Sequence, residues 1–383
     1  MKQLEADLAQ SRADGLYRRR RIIDSPQGVE TSIDGKRLLS FCSNDYLGLA
    51  NHPLIKQAFV DAVNEYGVGS GAAHLINGHS RLHERCEQRL AEFTGRDRAL
   101  LFSTGYMANI AIASALLGRN DLIYQDKLNH ASLIDSARLS AARLIRYRHN
   151  DLRQLEELLG SGRRDHRRLV MTDAVFSMDG DCADIDTLSR IAAEHDAWAM
   201  VDDAHGFGVL GKHGAGLLEQ MGLNQQQVPI LMATLGKAVG TAGAFVAGSE
   251  VLIETLIQRA RPYIYTTASP PAIAAATLKS IDLIEGETWR RDKLNESIAY
   301  FRRQAKTLDV ELMPSQTAIQ PLVIGDNHRA LQLSEALFEQ GIHVTAIRPP
   351  TVPVGSARLR VTLSAAHERG HIDRLTETLR TLL

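Results

Sequence analysis

The chain has 383 residues, with 44 lysines and arginines against 45 aspartates and glutamates and a formal net charge of −1. That length exceeds what one hydrophobic core usually fills and implies two lobes, while the near-zero charge supplies no long-range pull toward nucleic acid or an anionic membrane surface and points to a small-molecule partner. Cys42, Cys86 and Cys182 are odd in number and far apart with no CxxC pair, which suggests neither a disulfide framework nor a metal site and fits thiols in a reducing cytoplasm.

The N-terminus mixes charges at helical spacing without an apolar core, so no secretion signal is expected, and no apolar run elsewhere approaches membrane-spanning length. Residues 1–21 read as an amphipathic helix ending in Arg18-Arg19-Arg20-Arg21, the pattern of a solvated helix end, before Ser25-Pro26-Gln27-Gly28 breaks the chain. From Leu54 onward, helical patterns alternate with short apolar runs that begin at Ala99, Asp121, Arg168, Trp198, Pro229 and Gly243. Such alternation predicts an α/β fold with a mostly parallel sheet covered on both faces. Ligands of such sheets bind beyond the carboxyl ends of the strands, so the polar residues closing these runs are the ones of interest. After a helical stretch near 270–308, runs starting at Ala318, His343 and Arg358 and helices near 327–340 and at the end predict a compact α+β unit. The expected division is an N-terminal helix and arm over 1–45, a large domain over 46–285 and a small domain over 286–383.

Two motif matches fail their context. Gly206-Phe-Gly208-Val-Leu-Gly211 fits the GxGxxG dinucleotide pattern, and Gly206-x4-Gly211-Lys212 approaches a phosphate-binding loop. However, no helix is predicted to open inside the motif, and His213 stands where a hydroxyl should hold magnesium. A nucleotide-binding protein using this loop is the competing reading, and it predicts saturable NAD or ATP binding by a colourless protein. His79 and His83 share a helix face at i, i+4 but lack an HExxH context, so a capped helix start is expected there and no metal is assigned.

Other polar positions converge better. Ser103-Thr104-Gly105-Tyr106 ends a strand and starts a helix, which offers backbone N–H groups to an anion or forms an ordinary cap. His130 opens a helix after a strand and either stacks on an aromatic cofactor or caps that helix. Asp202-Asp203-Ala204-His205 puts two carboxylates and an imidazole at the end of a buried strand, where a pyridinium nitrogen or an arginine would pair with an acid, or an acid would cap the next helix. Thr234-Leu235-Gly236-Lys237 places an amine after an apolar run, followed by small residues that favour its neutral, nucleophilic form.

Taken in order, these positions resemble fold type I pyridoxal-phosphate enzymes. The blocks Phe41–Leu49, Gly67–Gly71, Val175–Asp181, Val201–Gly206 and Thr234–Lys237 are similar to those of the α-oxoamine synthases, over nearly the full length. The resemblance implies a large, mostly parallel seven-stranded sheet domain and a smaller C-terminal α+β domain. It also implies pyridoxal 5′-phosphate (PLP) as cofactor. By it, Lys237 holds the cofactor covalently and moves the substrate Cα proton, Asp202 pairs with the ring nitrogen, His205 with the ring hydroxyl, and His130 stacks on the ring. Gly105, Tyr106 and Thr234 bind or position the phosphate, and Ser177 lies beside the ring. Asn44 contacts the amino-acid substrate, Arg348 clamps its carboxylate, and Arg18 and Thr351 contact the acyl substrate, with the run Arg18 to Arg21 leaving that register open. The segments 318–333 and 345–353 resemble the biotin-pathway branch, which implies L-alanine and a pimeloyl thioester, carried by coenzyme A or acyl carrier protein, as substrates. Another α-oxoamine synthase, using glycine and acetyl-CoA, is the alternative within the family. A cytoplasmic homodimer is implied, with Thr266 and Thr267 reaching the neighbour's phosphate.

Overall fold

The computed structural model describes residues 2–162 and 165–383, and the chain divides into two compact units. The first comprises 1–51, 177–181 and 289–383, and the second 52–176 and 182–288. Where the sequence suggests a helix over 1–21, the structure has one over Lys2–Ala13 only. Gly15, at φ 65°, takes the left-handed conformation that stops it. That helix is exposed nearly all round, with Leu4 and Leu8 open to solvent, so it is not amphipathic in its packing. The arginine run follows it as irregular chain, and Arg21 lies 3.7 Å over the Phe338 ring and bonds Glu335 at 2.5 Å.

Two strands, β1 (Glu30–Ile33) and β2 (Lys36–Ser40), form a hairpin whose Asp34-Gly35 turn has positive φ at both residues, the geometry that matches strand twist.

The second unit contains β3 (Arg98–Phe102), β4 (Leu122–Asp126), β5 (Arg143–Tyr147), β6 (Arg168–Asp173), β7 (Trp198–Asp202), β8 (Ile230–Thr234) and β9 (Ala244–Gly248). Their order is β3-β9-β8-β7-β6-β4-β5, and only β9 runs antiparallel, between β3 and β8. The sheet is buried on both faces, and its side chains divide by the two-residue strand period. Leu169, Met171, Met200, Ile230 and Met232 join one core with the helices Gly105–Leu116 and Ala131–Ser140. Val170, Ala199, Val201 and Leu231 join the other with the helices Leu152–Ser161 and Ile185–Glu194. This explains why β6 to β8 read as continuous apolar runs. β5 does not, because it pairs only with β4 and its arginines at 143 and 146 sit in an edge strand. The helix Pro271–Gly286 packs on the helices Pro53–Tyr66 and Arg81–Thr94.

The C-terminal part of the first unit holds β10 (Glu311–Leu312), β11 (Ile319–Gly325), β12 (Ile342–His343), β13 (Thr345–Ile347) and β14 (Ala357–Thr362), with β10-β11-β14-β13 as an antiparallel sheet. β12 instead pairs in parallel with β2, Ile342 opposite Leu39. The arm drawn as separate over 1–45 therefore shares a sheet with residues drawn at 286–383. The short segment 177–181 belongs to the same unit: Arg358 bonds Asp179, and the Ser315 and Thr317 hydroxyls donate to the Gly180 carbonyl at 2.8 and 3.0 Å. No described helix is long and apolar enough to cross a membrane.

Candidate active site

In the second unit the residues singled out from the sequence gather where the strands end. β3 delivers Thr104 as the cap of the helix Gly105–Leu116, its hydroxyl accepting from Met107 N–H at 3.1 Å. The first N–H groups of that helix, those of Gly105 and Tyr106, have no partner inside it, and a helix start concentrates positive potential. Gly105 is required by packing: a Cβ there would stand 2.7 Å from Thr234 Cγ2, so glycine lets the end of β8 lie against the helix start. A backbone N–H pair beside a hydroxyl suits a phosphate.

β4 leads to His130, which caps the helix Ala131–Ser140 by accepting the Ser132 N–H at 3.3 Å. The His130 backbone N–H donates to Asp173 at 2.7 Å. Desolvation lowers the His130 pKa, the Asp202 carboxylate opposes this, and the Lys237 charge adds to it, so the three groups feel one another electrostatically. β7 ends at Asp202, whose two oxygens accept from Ala204 N–H at 3.1 Å and from the Asn109 amide at 2.8 Å. Asp173 ends the neighbouring β6 opposite Asp202. Burial, reinforced by the Asp202 charge, raises its pKa well above the carboxylate range. Asp203 behaves similarly and reaches about 8, mainly through burial. His205 is buried three residues past Asp202. Lys237 sits in the tight connection between β8 and β9, half-buried, between the buried Leu235 and the buried pair Ala238 and Val239. An amine, an acid braced by two N–H donors and an anion-binding helix start fit a cofactor that combines a reactive carbonyl, a basic ring nitrogen and a phosphate.

Thr266 and Thr267 lie in the second unit too, whereas Arg18, Asn44, Ser177, Arg348 and Thr351 belong to the first. Arg18 donates to Thr351 at 3.5 Å, and its charge adds to desolvation in lowering the pKa of Arg348, which itself bonds the Gly15 carbonyl. Arg348 also lines a cavity of about 560 Å³ with Arg12, Arg19, Arg21 and Tyr17. Asn44 and Ser177 are joined by Arg360, which donates to the Ser177 carbonyl at 2.6 Å and to Asn44 Oδ1 at 3.3 Å. Arg360, Asn109 and Asp173 were not among the predicted residues. For Asp173 a signal existed: β4, β6 and β7 all close with an aspartate.

The glycine loop and the histidine pair are each tied into the fold by hydrogen bonds. Gly206–Gly216 is a largely buried turn tied by Gly208 N–H to Gly214 O at 2.7 Å, and the helix after it has only five residues. His83 closes a capping box with Ser80 and donates to Ser269 O, while His79 pairs with His74 at 2.8 Å.

A seven-stranded sheet with one antiparallel strand, with a helix start, an acid and a lysine following β3, β7 and β8, defines a fold type I PLP-dependent enzyme. A family model for aminotransferase class I and II matches residues 36–379. A relative from Nitrosococcus oceani, named 8-amino-7-oxononanoate synthase, is 58% identical over 97% of this chain and 99% of its own length. One of the same name from Thioalkalivibrio sulfidiphilus is 59% identical over 99% and 97%. Among solved structures, a serine palmitoyltransferase from S. paucimobilis with PLP and myriocin bound matches with a TM-score of 0.94 at 29% identity, covering 99% of this chain and 96% of that one. An 8-amino-7-oxononanoate synthase from Francisella tularensis matches at 0.79 and 34%, covering 90% and 97%. The chain belongs to the class I and II aminotransferase family and, within it, to the 8-amino-7-oxononanoate synthases, PLP-dependent acyltransferases of the α-oxoamine synthase group.

Proposed function

We infer that this chain condenses L-alanine with a pimeloyl thioester, giving 8-amino-7-oxononanoate, carbon dioxide and the free carrier thiol, a step of biotin synthesis. The observation that carries the reading is near-full-length identity of 58% and 59% with relatives named for that product. Bound PLP supplies an electron sink for negative charge at the amino acid's Cα. Lys237 is assigned to hold the cofactor through its amine and, once alanine takes its place, to remove and return the Cα proton. Asp202, oriented by Ala204 and Asn109, is assigned to the ring nitrogen, where a carboxylate favours the protonated form and so the sink. Gly105, Tyr106 and Thr234 are assigned to the phosphate, His205 to the ring hydroxyl, His130 to the ring face and Ser177 to the cofactor.

Arg348 is assigned to a substrate carboxylate, supported by its buried Nε, which has no hydrogen-bond partner and so keeps donor capacity for a ligand. Asn44 is assigned to the amino acid, and Arg18 with Thr351 to the acyl substrate. A homodimer is proposed from the large apolar side chains left exposed on the second unit: Val68, Ile76 and Tyr265 are 81%, 78% and 71% accessible. Thr266 and Thr267 adjoin the last of these and are assigned to the neighbour's phosphate. The three free cysteines support a reducing cytoplasm.

Purified protein is expected to be yellow and to turn over L-alanine with pimeloyl thioesters, and parallel assays with coenzyme A and acyl carrier protein thioesters identify the carrier. Turnover of serine with palmitoyl-CoA, or of glycine with acetyl-CoA, in place of alanine would overturn the substrate assignment. Lys237→Ala is expected to lose borohydride-trappable cofactor and turnover together; a variant that keeps both would overturn the lysine's role.

A further inference from the structure

Neither Asn109 nor Ser132 is assigned to cofactor or substrate above, yet together they join Asp202 to His130. Asn109 lies one turn into the helix that starts at Gly105 and is fully buried, and Ser132, near the start of the next helix, is 1% exposed. The Asn109 amide nitrogen stands 2.8 Å from Asp202 Oδ2 and 2.8 Å from Ser132 Oγ, and Ser132 Oγ stands 2.8 Å from His130 Nδ1.

Chemistry fixes the direction of each bond. An ionised carboxylate only accepts, so Asn109 must present its NH₂ group to Asp202, and the second hydrogen of that group goes to Ser132 Oγ. Ser132 spends a lone pair on this bond and keeps its one hydrogen for His130 Nδ1. The Ser132 backbone N–H, a donor only, approaches the same ring nitrogen at 3.3 Å. Both donors require a lone pair on Nδ1, which puts the proton of neutral His130 on Nε2. Asn109 Oδ1 is meanwhile buried with no hydrogen-bond partner, an unfavourable state that persists because the amide's other end is committed twice.

We propose that Asn109 and Ser132 are a positioning relay that orients the Asp202 carboxylate and locks His130 as its Nε2–H tautomer, so that the acid and the imidazole are set as one unit. The relay rests on the reading that both groups serve the cofactor. It accounts for a polar chain through a region otherwise filled by Ala108, Ala111, Ile112 and Leu133, where unpaired polar groups are costly.

The test uses holoenzyme labelled with ¹⁵N-histidine. In the wild type the His130 ring is expected to show a protonated Nε2 and an unprotonated Nδ1. Ser132→Ala leaves only the longer 3.3 Å backbone N–H at Nδ1 and is expected to weaken the preference so that both tautomers are populated, and Ser132→Thr, which keeps the hydroxyl, to restore the single one. Asn109→Leu, which removes a bond to a charged group, is expected to weaken cofactor retention roughly 10- to 100-fold and to move the pH dependence of cofactor absorbance. A protonated Nδ1 in the wild type, or a ring unchanged by Ser132→Ala, overturns the relay. A tautomer change with cofactor absorbance and retention unaltered in both variants overturns instead the placing of His130 and Asp202 at the cofactor.

Discussion

Asp203 offers a quantitative check on the electrostatics of the strand end. Its side chain is fully buried, accepts the Leu217 N–H at 2.7 Å through Oδ2, and leaves Oδ1 without a partner. Burial and, to a lesser degree, the Asp202 charge push its pKa from 3.8 to about 8. An acid whose folded pKa lies above its unfolded value destabilises the fold progressively as pH rises from the lower value to the higher. Between about pH 5 and about pH 8 the cost grows by about 4 kcal/mol, at ~1.36 kcal/mol per unit. Asp203→Asn abolishes this titration while its oxygen still accepts from Leu217. It also brings an NH₂ group to the unpartnered position, a pH-independent cost of about 1–3 kcal/mol. The variant is therefore expected to lie close to the wild type in stability near pH 5 and to be clearly more stable near pH 8. Urea unfolding of the cofactor-free proteins across that range reads the difference. Parallel curves, with a constant gap between variant and wild type, would refute the reasoning.

Arg358→Met strips the partner from Asp179 inside the first unit, where the guanidinium side chain is 4% exposed and the carboxylate 15%; a loss of about 3–5 kcal/mol in urea unfolding is expected. His367 is held neutral, its pKa pushed down to about 4 chiefly by burial, from 6.5. Because the unfolded chain takes up that proton first, the wild type is expected to lose about 3 kcal/mol as pH falls from 6.5 to about 4, a slope that His367→Phe removes. Leu155→Ala, fully buried on the helix Leu152–Ser161, is expected to cost about 2–5 kcal/mol with little change in cofactor absorbance.

Some features follow from local chain chemistry and were legible at once. The runs Leu169–Met171, Ala199–Val201 and Ile230–Ala233 in β6, β7 and β8 are continuously apolar because both faces of the sheet are covered, so their place was readable without knowing their neighbours. β5 escaped because an edge strand tolerates Arg143 and Arg146. The helix expected over 1–21 stops at Ala13 because Gly15 turns the chain, and the basic run that looked like a helix end holds Arg21 against Phe338 and Glu335. Asp202 closes a strand, His130 opens a helix and Lys237 follows the end of β8 by three residues, so each could be singled out. Asn109 could not, since in sequence it is one polar residue within an apolar helix.

The sequence by itself determined which segments become buried strands, where glycine must allow a turn or a close approach, and which titratable groups terminate those strands. These are short-range properties, set by side-chain period, backbone sterics and the neighbouring few residues. Only the tertiary structure decided which polar atoms meet. Asn109 reaches Asp202 across 93 positions of chain, and β2 finds β12 across some 300, because sheet order brings distant strand ends together. A buried donor or acceptor must be satisfied by whatever that order places beside it.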